Sequence, residues 1–176
     1  MLFTLRRSVV LATMVAAGLA AGSAAQAKTF KWANAGDVSS MDPYARQETF
    51  LLTFTANIYD PLIRRDKELK LEPALAVKWG QVDKTTWFFD LRPNVKFSDG
   101  TPFTADDVVF SLNRANGPGS NMGSNFASVK EIKKAGDLRV EIVTKYPDPL
   151  LADKWAALSM MSKASNWKLI ARCWMS

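Results

Sequence analysis

The stretch from Thr86 to Leu112 limits the possible folds more than any other part of the chain. Trp87, Phe89 and Leu91 alternate with Thr86, Phe88 and Asp90, the period of a strand with one face packed. Arg92-Pro93-Asn94 interrupts the pattern, and Val95-Lys96-Phe97 reads as a short return strand that pairs with the first as a hairpin. Asp99-Gly100-Thr101-Pro102 is a second turn. Thr104 stands three residues before Asp107, the spacing of a capping box in which the hydroxyl accepts from an unpaired helical amide. Ala105, Val108, Val109 and Leu112 then recur with helical period and form one apolar stripe. This helix is expected to end near Asn116-Gly117-Pro118-Gly119. A strand and a helix that each carry one apolar face must be layered against each other.

The flanks add elements of both kinds. Thr29–Ala33 alternates as a strand and ends at the turn cluster Asn34–Asp37. Val38 to Pro43 is a loop, with Pro43 pushing Asp42 toward extended backbone. A helix is expected from Gln47 or Glu48, with Phe50, Leu51, Phe54 and Ile58 on one face and Glu48 opposing the dipole in its first turn. Pro61 is expected to stop it. Leu62–Arg65 reads as a short strand turned by Asp66-Lys67-Glu68, and Leu71 to Trp79 follows. Ser120 to Asn125 is a polar loop with no assignable chemistry. Val129–Lys134 and Leu138–Lys145 read as paired strands, with Leu138, Val140 and Ile142 on one face, and a helix from Pro149 to Leu158 follows. Strands and helices mix without regular alternation, which indicates an α/β (mixed α+β) lobe.

The first residues have the form of an export signal. Arg6-Arg7 precedes an apolar run from Val9 to Ala21, which closes on Ala25-Gln26-Ala27. Residues 1–27 are therefore expected to be a signal peptide, cleaved between Ala27 and Lys28. The alternative, a membrane anchor, needs ~20 consecutive apolar residues, more than this run supplies. The arginine pair leaves both general secretion and twin-arginine export open. No cysteine follows the cleavage point, so the mature product is expected to be soluble, without a lipid anchor.

Absences narrow the chemistry. The chain has no histidine, and Cys173 is its only cysteine. Ser-His-Asp and Cys-His machinery, zinc sites built on His or paired Cys, and an intrachain disulfide are thereby excluded. Carboxylate or Ser-Lys catalysis remains open to an enzyme, but the sequence has no motif for either. No cofactor and no metal site are expected. The formal charge of +6 falls by two on loss of Arg6 and Arg7, and the remaining basic residues are scattered. No nucleic-acid-binding stripe is therefore expected.

Several spaced motifs together carry a family resemblance. Leu71-Glu72-Pro73-Ala74-Leu75-Ala76 with Trp79 resembles the opening of the family 5 extracellular solute-binding proteins, the dipeptide- and oligopeptide-binding type. Thr86 to Leu112, spanning Arg92-Pro93-Asn94 and Ser98-Asp99-Gly100-Thr101-Pro102-Phe103-Thr104-Ala105-Asp106-Asp107, resembles the stretch most diagnostic of that family. Met41-Asp42-Pro43, Asn57–Leu62 and Pro147–Leu151 also match in order, so the resemblance runs from about Phe30 to about Lys163. On the residues themselves, these motifs are scaffold: core side chains, a turn glycine and a helix cap.

The resemblance implies two lobes that close on a ligand across a hinge, with residues 28–163 an incomplete N-terminal lobe of such a periplasmic-binding-protein-like fold. It implies the recognition subunit of an ABC importer for peptides or similar small solutes, periplasmic and monomeric, with membrane permease subunits as partners and no enzymatic role. It places ligand-facing residues in the loop after Asp42-Pro43, here Arg46, Gln47, Glu48 and Thr49; alternatively Glu48 and Thr49 only begin the helix. The family pattern stops at Ala164. Residues 164–176, with Cys173 beside Trp174, are expected to be a non-family tail from a disrupted reading frame. Two other readings stay open: a fragment that binds nothing and aggregates through unpaired sheet edges, and a secreted hydrolase, disfavoured by the missing histidine.

Overall fold

The computed structural model describes residues 38–164. The expected signal segment with its Ala27–Lys28 cleavage point, the Thr29–Ala33 strand and the tail after Ala164 lie outside these residues. The described elements are α1 (Thr49–Thr55), β1 (Ile63–Arg65), β2 (Leu71–Pro73), β3 (Ala76–Asp83), β4 (Thr86–Leu91) and α2 (Ala105–Asn116). A 3-10 turn (Gly123–Phe126), β5 (Val129–Gly136), β6 (Arg139–Thr144) and α3 (Leu151–Lys154) follow. β1 and β2 form a small antiparallel hairpin, and the main sheet is antiparallel in the order β3-β4-β6-β5.

The two central strands explain the core. β4 buries Trp87, Phe89 and Leu91, and β6 buries Val140, Ile142 and Thr144, both in strict alternation. Trp87 lies opposite Ile142 and Phe89 opposite Val140, so the apolar sets stack side by side. α2 packs on β5 and β6 and buries Ala105, Val108, Leu112 and Ala115. Val109, expected on that stripe, is only half-buried, and the polar Asp107 and Ser111 are buried instead. The capping box forms: Asp107 Oδ2 accepts from the Thr104 amide at 2.9 Å. The Thr104 hydroxyl donates to the same oxygen at 3.0 Å.

The hairpin partner of β4 is β3, not Val95–Phe97. Asn94 at φ 61° and Gly100 at φ 85° turn the chain back on itself there. Only one bridge, Lys96 to Pro102, forms, and the Phe97 and Phe103 rings meet edge to face at 5.7 Å. The other side of β4 is already taken by β6. β3 escapes detection in the sequence because two bulges, at Val77 and Val82, break its alternation and leave both valines exposed. Within β3, Gly80 seats the Phe88 ring: a Cβ there would lie 3.2 Å from Phe88 Cε1. Arg139 covers the same ring at 4.4 Å.

Further expectations are corrected. α1 ends at Thr55, well before Pro61, where the Asn57 amide turns to the Phe54 carbonyl at 3.0 Å and the Ile58 amide to the Thr55 carbonyl at 2.9 Å, three residues back instead of four. The Asn57 side chain also takes the Thr53 carbonyl, at 2.8 Å. Its buried face is Leu51 and Thr55, with Phe50 and Phe54 only half-buried. Leu138 sits in the turn after β5, 40% exposed, rather than on the face of Val140 and Ile142. The helix expected from Pro149 to Leu158 shrinks to Leu151–Lys154, because the Trp155 amide closes the last turn and the chain then straightens to bridge Ser159 to Pro61. Ser120–Asn125 is also more than a polar loop. It contributes the buried Met122 and leads through the 3-10 turn to buried Phe126.

Among the described residues the main sheet has two edges. β5 carries Lys130, Glu131, Lys133 and Lys134 along its length, and β3 is kinked by its bulges. Both features oppose edge-to-edge pairing. They weaken the physical ground for expecting this segment to aggregate.

Candidate functional site

The loop from Met41 to Ala45 is fixed from four directions. Asp42 Oδ1 accepts from the Tyr44 amide at 2.9 Å across Pro43, an Asx turn that closes the loop locally. Arg114, near the end of α2, donates Nη2 to Asp42 Oδ2. Asn121 donates its amide to the Tyr44 carbonyl at 2.9 Å and its side chain to the Ala45 carbonyl at 2.6 Å. The Tyr59 hydroxyl donates to the Met41 carbonyl at 3.0 Å. Tyr44 itself is fully buried, and its hydroxyl donates to the Ser159 carbonyl. Burial holds the Tyr44 phenol protonated well above its usual range, so it acts as a donor at every physiological pH.

The anchoring stops at Ala45. Arg46, Gln47, Glu48 and Thr49 are all exposed, the only run of four exposed residues in this loop. Arg46 Nη1 and Glu48 Oε1 pair at 3.0 Å, with side chains 59% and 54% exposed. Glu48 is the N-cap residue of α1, not part of its first turn, and makes no capping bond with its side chain. Its carboxylate is turned toward Arg46. A solvated pair of this kind contributes little to stability, at most ~1 kcal/mol, so both charges can change partners at small cost. Sequence reasoning singled out these four residues as candidates and missed the group that anchors the turn before them: Asp42, Tyr44, Tyr59, Arg114 and Asn121. Only Met41-Asp42-Pro43 gave a signal; Tyr59, Arg114 and Asn121 lie 14, 69 and 76 positions beyond Ala45, too far for local pattern to connect.

A second polar cluster is structural. Asp148, 5% exposed, accepts from Lys154 Nζ at 2.6 Å and from the Ser128 hydroxyl. Its carbonyl accepts from Trp87 Nε1 at 3.1 Å. Burial alone would raise the Asp148 pKa, but the Lys154 and Ser128 hydrogen bonds outweigh it and hold the carboxyl below its usual range. The cluster ties β4, the start of β5 and α3 together. Among the described residues no group of His, Cys, Asp and Glu is placed to hold a metal ion.

Comparison with known proteins completes the description. The family model for bacterial extracellular solute-binding proteins, family 5 Middle, matches residues 70–169. The periplasmic oligopeptide-binding protein OppA of Salmonella typhimurium is 33% identical over 114 residues, 65% of this chain and 21% of that protein. The glutathione-binding protein GsiB of Pectobacterium atrosepticum is 31% identical over 147 residues, 82% of this chain and 29% of that protein. Among solved structures, MoaA of A. tumefaciens R10 in complex with mannopinic acid superposes with a TM-score of 0.66 at 30% identity. That superposition covers 73% of this chain and 28% of MoaA. The chain thus spans about a fifth to three-tenths of the length of these relatives.

Proposed function

Because the chain belongs to family 5 of the bacterial extracellular solute-binding proteins, we propose that it supplies part of one lobe of a binding protein that delivers a peptide or similar small solute to an ABC importer. The observation that carries this reading is the agreement of sequence and fold over one segment, with the family model on residues 70–169 and a TM-score of 0.66 to a relative of the same kind. The relatives' names span oligopeptide, glutathione and mannopinic acid, so the scaffold does not choose the ligand. Peptides come first because both sequence relatives bind them. In this reading the ligand is held between two lobes, and residues 38–164 furnish only a portion of the contact surface. Export by the segment 1–27, cleavage between Ala27 and Lys28, and a monomeric periplasmic product with permease subunits as partners complete the proposal. It assigns no catalytic step and no nucleic-acid partner.

Arg46, Gln47, Glu48 and Thr49 are the proposed ligand contacts. What supports them is their exposure at the tip of an otherwise pinned loop and the loosely engaged Arg46–Glu48 pair. A chimera tests both levels. With residues 38–163 replacing the matching segment of the Pectobacterium glutathione-binding relative, a folded chimera is expected to bind glutathione in calorimetry. Replacing Arg46 and Glu48 together by alanine should then weaken binding about tenfold, equivalent to ~1.4 kcal/mol. A folded chimera that binds no glutathione argues against the lobe assignment, and an unaltered affinity in the double variant removes these contacts.

A further inference from the structure

The segment Leu158–Lys163 is not a trailing end but an extended strap laid across the molecule. Leu158, Met160 and Met161 are buried. On one side the Met160 amide donates to the Asp60 carbonyl at 2.9 Å, and Ser159 bridges Pro61. On the other, Ser111 of α2 receives the Met161 amide at 2.8 Å and donates to the Met161 carbonyl at 3.0 Å. Asp107 Oδ1 receives the Lys163 amide at 2.9 Å, from the carboxylate that also caps α2. The strap is therefore held by at least one directed bond at Ser159, Met160, Met161 and Lys163. At its centre the Tyr44 hydroxyl donates to the Ser159 carbonyl and lies beside Ser111.

Tyr44 belongs to two structures at once. Its backbone is part of the Asx turn that precedes Arg46, and its carbonyl is held by Asn121. Its side chain reaches through the core, fully buried, to the strap. We propose that Tyr44 is a positioning residue that couples the strap to the loop bearing Arg46–Thr49, so that loosening either one loosens the other. A rigid ring bonded at both ends transmits displacement where a flexible side chain would absorb it, and full burial in a packed core restrains the ring. The functional meaning rests on the reading of Arg46–Thr49 as ligand contacts: a shift of the strap would reset the ligand loop.

Amide hydrogen exchange followed by NMR on the full chain tests the coupling without any ligand, so its failure is separate from failure of the ligand assignment. Tyr44→Phe keeps the ring and deletes the bond. Exchange should accelerate about fivefold to tenfold, the loss of one hydrogen bond, at the Tyr44, Ala45 and Leu52 amides and equally at Met160, Met161 and Lys163. Phe89 and Ile142 should be unchanged. Acceleration confined to one of the two segments, spread evenly into β4 and β6, or absent altogether overturns the proposal. Ser111→Ala, which loosens the strap from the α2 side, should accelerate the same two sets. Its effect should be less than additive with Tyr44→Phe, and full additivity would count against coupling. If Tyr44→Phe does not fold, the Ser111→Ala pattern decides by the same criteria.

Discussion

Trp155→Ala should destabilise the chain by about 3–5 kcal/mol, seen as a lower urea midpoint with an unchanged slope. Trp155 is 1% exposed and is the largest fully buried side chain among the described residues. Its ring stacks on Phe89 of β4 at 6.2 Å and meets Phe126 of the 3-10 turn at 5.1 Å. Its Nε1 donates to the Asn125 carbonyl at 3.2 Å. One side chain thus joins the sheet, the 3-10 turn and the entry to the strap. A domain of this size is stable by roughly 5–15 kcal/mol in total, so the variant is expected to be marginal at room temperature. Trp79→Ala is the control. That ring is only half-buried against the core, and its loss should cost about 1 kcal/mol, near the centre of the mutational distribution. Similar losses at the two sites would mean that Trp155 is not the keystone described.

Asp148→Ala is expected to cost about 2–3 kcal/mol, because it strands the buried Ser128 hydroxyl and removes the partner of Lys154. Lys154 is 38% exposed, so water recovers part of its charge and keeps the figure below that of a fully buried pair. The charge contribution has a definite pH signature. The folded-state pKa of Asp148 lies below its unfolded value, so its stabilisation is complete above the unfolded carboxylate pKa of about 3.9. It is lost as pH falls through the lower folded value. Wild-type and Asp148→Asn stabilities, measured by urea titration from neutral pH to pH 3, should converge as the pH drops below about 4. A gap that stays constant to pH 3 would show that the charge does not contribute.

How much of this was legible in the sequence follows from the range of each interaction. β4, β6 and α2 declare themselves because their apolar periods are clean and their turns are marked by Asn94, Gly100 and Gly117. β3 does not, since a bulge shifts every following side chain to the opposite face, and two bulges leave no period to read. The Val95–Phe97 strand was misread for a related reason. A short apolar triplet after a turn predicts pairing but cannot show that β6, almost fifty residues on, already occupies the partner edge. The end of α1 was decided by the Asn57 side chain, which takes the Thr53 carbonyl while its amide turns to Phe54, a local effect weaker in pattern than a proline. The strap had no signal at all: Leu158–Lys163 mixes three apolar with three polar residues without period, and its order comes from Tyr44, Asp60, Asp107 and Ser111. For the candidate site, the family-like loop pointed to Arg46–Thr49 as candidates, while Tyr59, Arg114 and Asn121, which anchor the turn before them, lie far along the chain.

Calorimetric titration of the purified, folded chain with glutathione and with tri-alanine tests the central claim most directly. If ligand capture needs surface beyond residues 38–164, neither titration should give a saturable heat while circular dichroism reports the α/β fold intact. One-site binding at micromolar affinity or tighter by the monomer would contradict the account.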